Sequence, residues 1–395
     1  MGNGENTMAT TNRNTHQGNS KKKKLTKKQR RKRKIIMLVV EVLVILILLL
    51  VLALVIKLNK INNAGELDPD NLEINIDEKT KEMLEGYTNI AIFGLDNRSN
   101  GSYDSGNSDC IMIASINNDT KEVKLISVYR DSYLNVTDAD KYTKLNAAYA
   151  KGGAEGAVKA LNKNFDLDIV DYVAVDFNAI ARTVDALGGI ELEFTAEEAN
   201  DIYTHAYVDE MNAMFGTHSS YPVPGVQLCD GVQATAYARL RNTAGDDFKR
   251  TERQRLVVSK IVEKTKQSDL ATINSIIDEV FPLITTSLQN TEILGLASNV
   301  LDYELVDTQG FPFLLNPAYV NGAAMVVPTT LEDNVILLHE YLFGVKDYEP
   351  SGTVRAISNR IQSDSGLGSG DTARDTNPLK VQEPDTPQDD SGTGQ

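Results

Sequence analysis

The chain has 395 residues, with 40 Lys and Arg against 55 Asp and Glu, a formal net charge of −15, and only two cysteines and four histidines. Two cysteines, Cys110 and Cys229, allow one bridge at most and exclude a disulfide scaffold, while His16, His205, His218 and His339 lack zinc-ligand spacing. The charge is uneven: residues 1–60 hold fourteen of the basic residues and two of the acids, leaving the rest at about −27.

In chain order, residues 1–34 read as a basic cytoplasmic tail ending in KKKKLTKKQRRKRK at 21–34. The next twenty-two residues, 35–56, carry one charge, Glu41. A helix of that length crosses a hydrocarbon core of about 30 Å and exceeds the apolar part of a signal peptide. The basic flank sets its N-terminal side in the cytoplasm. The expectation is one transmembrane anchor in the lipid bilayer over 35–57, with the remainder outside the cell. No nucleic-acid partner is expected, because a reader of DNA would need a folded cytoplasmic element and 34 polar residues offer none.

Residues 58–87 read as a polar stem with a short helix around DEKTKEMLEGY. From 348 to 395 the composition turns to Gly, Ser, Asp, Pro and Thr, which predicts a disordered acidic tail. One compact domain is left at 88–347. Within it NIAIFGL (89–95), CIMIASIN (110–117) and VKLISVY (123–129) are apolar runs bounded by turn-formers, hence strands, with NNDTKE as a hairpin between the second and third. Helical spacing begins near Ala154, recurs in FNAIARTVDALGG with its Gly-Gly stop, and returns in ERQRLVVSKIVEKTK, LATINSIIDEVFPLI and TLEDNVILLHEYLF. Strands interleaved with helices predict an α/β fold: a mixed central β-sheet flanked by helices, an αβα sandwich. No P-loop and no dinucleotide-binding glycine motif follows a strand.

Charged residues gather at the strand ends, where α/β folds place their sites. Asp96 and Arg98 lie just beyond the first strand, Asp109 opens the second, and Arg130 and Asp131 close the third. The stretch YARLRNTAGDDFKRTERQ, 237–254, adds four arginines. Asp230 is placed to cap a short helix before it. ARLRN reads as extended, which would set Arg239 and Arg241 on one side. A new helix then starts with Asp246 or Asp247 as cap, aligning Arg250 and Gln254 with Val257 and Ile261. The plain alternative is a helix face of ion pairs. The chemical one is a phosphate site: Arg forks grip phosphate oxygens, a helix N-terminus adds N–H donors, and Asp96 and Asp109 are the hard oxygen donors Mg²⁺ accepts beside phosphates. Lys249, Glu252 and Arg253 are expected to be surface or supporting residues.

Together these stretches resemble the LytR-CpsA-Psr family of cell-wall glycopolymer ligases. The resemblance runs from about Tyr87 to Val345 and includes NIAIFGLDNR, SDCIMIASI, SVYRDSYLNV, KLNAAYAKGG, VDALGGIEL, LCDGVQATAYARLRN and DDFKRTERQ, in the family's order. It implies a phosphotransferase that takes an anionic glycopolymer (teichoic acid, capsule or similar) from a polyprenyl-pyrophosphate carrier to a peptidoglycan sugar hydroxyl, with Mg²⁺ or Mn²⁺. It also implies a hydrophobic tunnel for the lipid tail and an extracellular domain on a Gram-positive-type cell membrane. Position by position, Asp96 and Asp109 would hold the metal. Arg130, Arg239, Arg241 and Arg250 would act on the pyrophosphate with Asp247 as support or base, and Arg98, Asp131 and Gln254 would contact substrate. Two departures stand out: Tyr129 where the family often has Pro, and Asn107 where it has a basic residue. The segment ANDIYTHAYVDEMNAMFGTHSSYPVPG matches no strong family motif. Competing functions are hydrolysis of the lipid pyrophosphate, a membrane-bound transcriptional attenuator, and a silent glycopolymer-binding scaffold.

Overall fold

The computed structural model describes residues 55–96, 106–241 and 246–379, with positions 45 and 52. The predicted cytoplasmic tail, nearly all of the predicted anchor, Arg98, and residues 380–395 lie outside the described residues. Among the described residues no helix is long and apolar enough to cross a membrane.

From Lys57 onward the chain forms β1 (Asn62–Asn63), α1 (Glu78–Leu84), β2 (Tyr87–Leu95), β3 (Ser108–Asn117), β4 (Glu122–Val128), β5 (Tyr133–Asn135), β6 (Tyr142–Lys144) and α2 (Ala147–Phe165). β7 (Asp171–Asp176), α3 (Phe177–Ala186), β8 (Ile190–Phe194), α4 (Ala196–Asn200), α5 (Ile202–Phe215), β9 (Gly225–Cys229), α6 (Gly231–Arg239) and α7 (Asp246–Lys266) follow. The last elements are α8 (Leu270–Val280), β10 (Thr285–Thr286), α9 (Asn290–Ser298), β11 (Glu304–Phe311), β12 (Leu314–Val320), β13 (Ala323–Pro328), α10 (Leu331–Phe343), α11 (Gly352–Ser365) and β14 (Arg374–Asp375).

The main sheet has the order β1-β10-β7-β2-β3-β4-β11. β2, β3 and β4 pair antiparallel, whereas β2–β7 and β4–β11 are parallel. This is the mixed sheet with flanking helices that the sequence predicts. Register fixes where the chemistry can sit. Leu95 lies opposite both Ser108 and Asp176, and Phe311 opposite Val128. One rim therefore gathers the ends of β2, β4, β7 and β11 and the start of β3.

Period-two alternation divides the sheet residues between two faces. Phe93, Ile111, Ile113, Ile126 and Val128 join the large buried core with α2, α10 and α11. Phe93 meets Tyr149, and Phe165 meets Phe311, edge-to-face with centroids 5.3 and 4.8 Å apart. Ile92, Gly94, Cys110 and Met112 turn the other way, toward α3, α6 and α7. There α6 lies so close to α3 that a Cβ on Gly231 would fall 2.2 Å from the Ala181 carbonyl oxygen. Only glycine allows that approach.

Two boundaries differ from the sequence reading. Residues 58–87 are not a free stem: β1 pairs with β10, and Leu72 and Leu84 are fully buried in the main core. Nor does the fold end at 347. α11 buries Val354, Ile357 and Ile361 between Ser351 as N-cap and Gly366 as left-handed C-cap, and β14 adds to β12. The average composition of 348–395 hides three apolar residues at helical spacing, which suffice to fold one helix onto an existing core.

Candidate functional site

A polar cavity of about 430 Å³ opens at the sheet rim, lined by Asp96, Asn107, Asp109, Arg130, Phe177, Tyr207, Glu210, Arg239, Arg241, Arg250 and Gln254. Asp96 follows β2 and Asp109 sits in β3, while Arg130 follows β4. The hairpin pairing is what brings residues of three separate motifs together.

Arg130 Nη1 donates to Asp109 Oδ1 at 2.6 Å, and Arg241 Nη2 reaches the other oxygen at 3.2 Å. Asp247 stands between two more forks, Oδ2 3.6 Å from Arg130 Nη2 and Oδ1 3.0 Å from Arg250 Nη1. Asp131 lies 3.7 Å from Arg130 Nε and accepts from Lys144 Nζ at 2.9 Å. Burial works against the Arg130 charge, but Asp109, Asp247 and Asp131 overcome it and hold the guanidinium above its ordinary value.

Arg250 is the opposite case. Its side chain is 2% exposed. Burial pushes its charge down, and Arg130 and Arg241 push the same way, outweighing the help of Asp247 and Asp109. Among the described residues its Nε and Nη1 have no hydrogen-bond acceptor; the approach to Asp247 is close but misaligned for an N–H···O bond. A buried cation with unmet donors is costly unless an anion joins it.

Arg239 is held differently from the sequence expectation. It is not on an extended segment but closes α6, a helix capped by Asp230, whose carboxylate accepts from Gln233 N–H. Leu240 leaves the helix at φ −57° and ψ 130°, so Arg239 is the last helical residue and Arg241 lies beyond the helix end. The Arg239 guanidinium lies over the rings of Phe177 and Tyr207, at 4.8 and 4.6 Å, and donates to Glu210 Oε2 at 3.1 Å. Sequence reasoning missed Phe177, Tyr207 and Glu210. The last two come from α5, inside the segment without a family motif; their spacing of three on one helix face was the only available signal.

Of the two roles expected for Arg253, surface or supporting, the structure shows the second: at 5% exposure it donates through Nε to Glu198 at 3.0 Å and through Nη1 to Leu240 O at 3.2 Å. It ties α7 to α4 and to the turn that carries Arg241. Lys249 and Glu252, at 53% and 62% exposure, form only a surface pair.

Below the polar cavity lies a narrow apolar slot of about 90 Å³ between the sheet and the helices α3, α6 and α7. Asp109, Phe177, Ala238 and Gln254 border both spaces, which are therefore neighbours. Cys110 lines the slot as a free thiol, pushed up to about 12 by burial, and Cys229 is free too. The described residues contain no cluster of three or more His, Cys, Asp or Glu able to hold a metal by themselves. The carboxylates on the cavity wall are Asp96; Asp109, whose two oxygens meet Arg130 and Arg241; and Glu210, which accepts from Arg239.

The fold and site thus define an α/β domain whose arginines converge on a sheet rim above an apolar slot. The sequence profile of the LytR_cpsA_psr family matches residues 52–336, and the chain belongs to that family. Among curated relatives, it is 29% identical over 216 residues to the polyisoprenyl-teichoic acid–peptidoglycan teichoic acid transferase TagU of Enterococcus faecalis, covering 54% of this chain and 65% of the relative. Against TagV of Bacillus subtilis the identity is 28%, covering 61% of each chain. The chain thus spans less than two thirds of those relatives. A third relative, biofilm regulatory protein A of Streptococcus mutans, is 32% identical over 44% of this chain and 43% of its own length. Solved structures share the fold: B. subtilis TagV with TM-score 0.52 at 24% identity, over 67% of this chain and 98% of that one. An E. faecalis protein named a transcriptional regulator gives 0.56 at 23%, over 73% and 98%.

Proposed function

We propose that the chain is a membrane-anchored phosphotransferase that moves an anionic glycopolymer from a polyprenyl-pyrophosphate carrier to a sugar hydroxyl of peptidoglycan. The observation that carries this reading is Arg250, a buried guanidinium with unmet donors, facing a cavity shared with Arg130, Arg239 and Arg241. A pyrophosphate supplies the acceptors those donors lack, and the apolar slot beneath suits the first units of a lipid tail.

In this reading the acceptor oxygen bonds to the glycan-bearing phosphorus, and the bond from that phosphorus to the bridging oxygen breaks. Polyprenyl phosphate leaves with the electron pair, and the acceptor's hydroxyl proton passes through water to the departing phosphate. The guanidinium groups neutralise charge on both phosphoryl groups, which is where catalysis of such a transfer resides. Asp247 holds the Arg130 and Arg250 forks apart at a fixed separation, and Asp131 holds Arg130 from behind. Asp96 and Asp109 fit a cation that takes one or two carboxylates and completes its shell with water and phosphate. Mg²⁺ or Mn²⁺ bound there would neutralise further pyrophosphate charge. Residues 35–57 are assigned to the bilayer and the domain after them to the outer side, the side on which peptidoglycan lies. Loss of the domain to external protease in intact cells would check that placement.

The test of the reaction supplies the full chain with a polyprenyl-pyrophosphate glycan, peptidoglycan oligomers and Mg²⁺. A glycan–peptidoglycan phosphodiester is expected, falling on the order of 10²-fold in Arg239→Ala. Release of glycan phosphate without an acceptor would make the protein a hydrolase. Identical behaviour of wild type and variant, with no product from either, would sink the reading.

A further inference from the structure

The C-terminal segment, outside the span matched by the family profile, which ends at 336, returns to the start of α7 beside the site. After α11 the backbone places Leu367 against the core and then runs alongside β12. Arg374 lies opposite Leu315, and Thr376 N–H donates to Phe313 O at 2.9 Å. That pairing carries the Arg374 guanidinium to 4.2 Å above the ring of Phe248. Phe248 meets Tyr129 edge-to-face at 4.8 Å. Tyr129 in turn presses on β11, so closely that a Cβ on Gly310 would fall 2.2 Å from its Oη. Gly310, Tyr129, Phe248 and Arg374 thus form one column from the sheet edge to the C-terminal segment.

The column touches the site through its neighbours in sequence. Tyr129 precedes Arg130, and Phe248 follows Asp247. Between them runs the contact of Arg130 Nη2 with Asp247 Oδ2, the longer of the two Asp247 contacts at 3.6 Å. The edge-to-face ring pair thus bridges the end of β4 to the start of α7, with Arg255 of α7 beside the Tyr129 hydroxyl. A cation over the face of one ring fixes that pairing.

We propose that residues 366–379 are a strap and that Arg374 is a positioning residue for the anion site. It holds Phe248 against Tyr129 and so brings Arg130, Asp247 and Arg250 into register. Tyr129 is then the residue that couples strap to site, a coupling that a proline at this position would lack. The strap's geometry is independent of the reaction; its effect on ligand binding rests on the phosphate reading above.

The experiment uses the full chain with methylenediphosphonate, a non-hydrolysable pyrophosphate, in calorimetry, and amide hydrogen exchange across Arg250 to Gln254. Arg374→Ala is expected to weaken binding three- to tenfold and to speed exchange in that turn, with the melting temperature unchanged. Arg374→Lys is expected to recover both, because an ammonium also sits over a ring. Wild-type affinity and wild-type exchange in Arg374→Ala would overturn the proposal. So would an equal loss in Arg374→Lys. If the wild-type chain binds no methylenediphosphonate, the phosphate reading fails, and the exchange comparison alone decides whether the strap acts on α7.

Discussion

The two faces of the central sheet are packed to different ends. On one, α2, α10 and α11 close over Phe93, Phe165 and Phe311, and even the histidine there is buried without charge. On the other, α3, α6 and α7 leave a slot and a cavity, and the largest buried side chain is the guanidinium of Arg250. The first face lowers the free energy of the fold. The second retains a buried guanidinium with unmet donors, which opposes folding and, on the reading proposed above, awaits an anion. Stability and function here compete across one sheet rather than within one site.

The sharpest break of that comparison is Arg250→Met. Removing the fork is expected to reduce transfer on the order of 10²–10³-fold. The same change relieves a desolvated cation repelled by Arg130 and Arg241, so the melting temperature should hold or rise, by roughly 1–2 kcal/mol of stability. Activity and thermal unfolding measured on one preparation decide it. A large drop in melting temperature would mean that Arg250 is structural.

Ile361→Ala, on the other face, should act in the reverse sense. Ile361 is fully buried in the core that the last helix completes. Its truncation is expected to cost roughly 3 kcal/mol, read in a denaturant titration, with turnover per folded molecule unchanged.

How much of this was legible follows the same division. The strands β2, β3 and β4 announce themselves as short apolar runs, and the site residues on their ends lie within a few positions of those runs. Arg239 shows where local reading stops. Its neighbours Ala236 and Ala238 favour a helix and Tyr237 a strand, and the capping box from Asp230 to Gln233 anchors a helix that runs through Arg239. Phe177, Tyr207 and Glu210 come from distant elements, and nothing local couples them to Arg239. Whether Arg253 was surface or supporting stayed open in the sequence because its partner Glu198 is 55 residues away. The last helix was different: Ser351, Val354, Ile357, Ile361 and Gly366 spell cap, apolar stripe and stop, and averaging over a long polar tail concealed them.

A pH experiment sharpens the stable face. His339 stacks on Tyr348 at 3.6 Å, shares a hydrogen bond with Phe165 O, and is lowered from 6.5 to about 4 by burial. The unfolded chain takes up its proton below 6.5, whereas the fold takes it only near 4. Between those values the unfolded state binds more protons, so stability should fall with pH, by roughly 2 kcal/mol at pH 5. Asp166, raised by burial, acts with the opposite sign, so the His339 contribution is read between 6.5 and 4 as the difference between wild type and a histidine variant. His339→Gln keeps a partner for Phe165 O without the titration, and its melting temperature should slope less steeply over that window.

The smallest effect is expected at Lys249→Ala, one position before Arg250. Lys249 points into solvent, pairing at 3.5 Å with an equally exposed Glu252. Such pairs contribute little, since water screens the attraction and two long side chains must be ordered to make it. Stability should move by less than about 0.5 kcal/mol, and transfer should stay at the wild-type rate. A clear loss of transfer with unchanged stability would mean that positive charge beyond the cavity helps draw in the anionic donor. The functional face would then extend along the outer side of α7, and the contrast between the two faces would reach the surface of the protein rather than stop at the cavity.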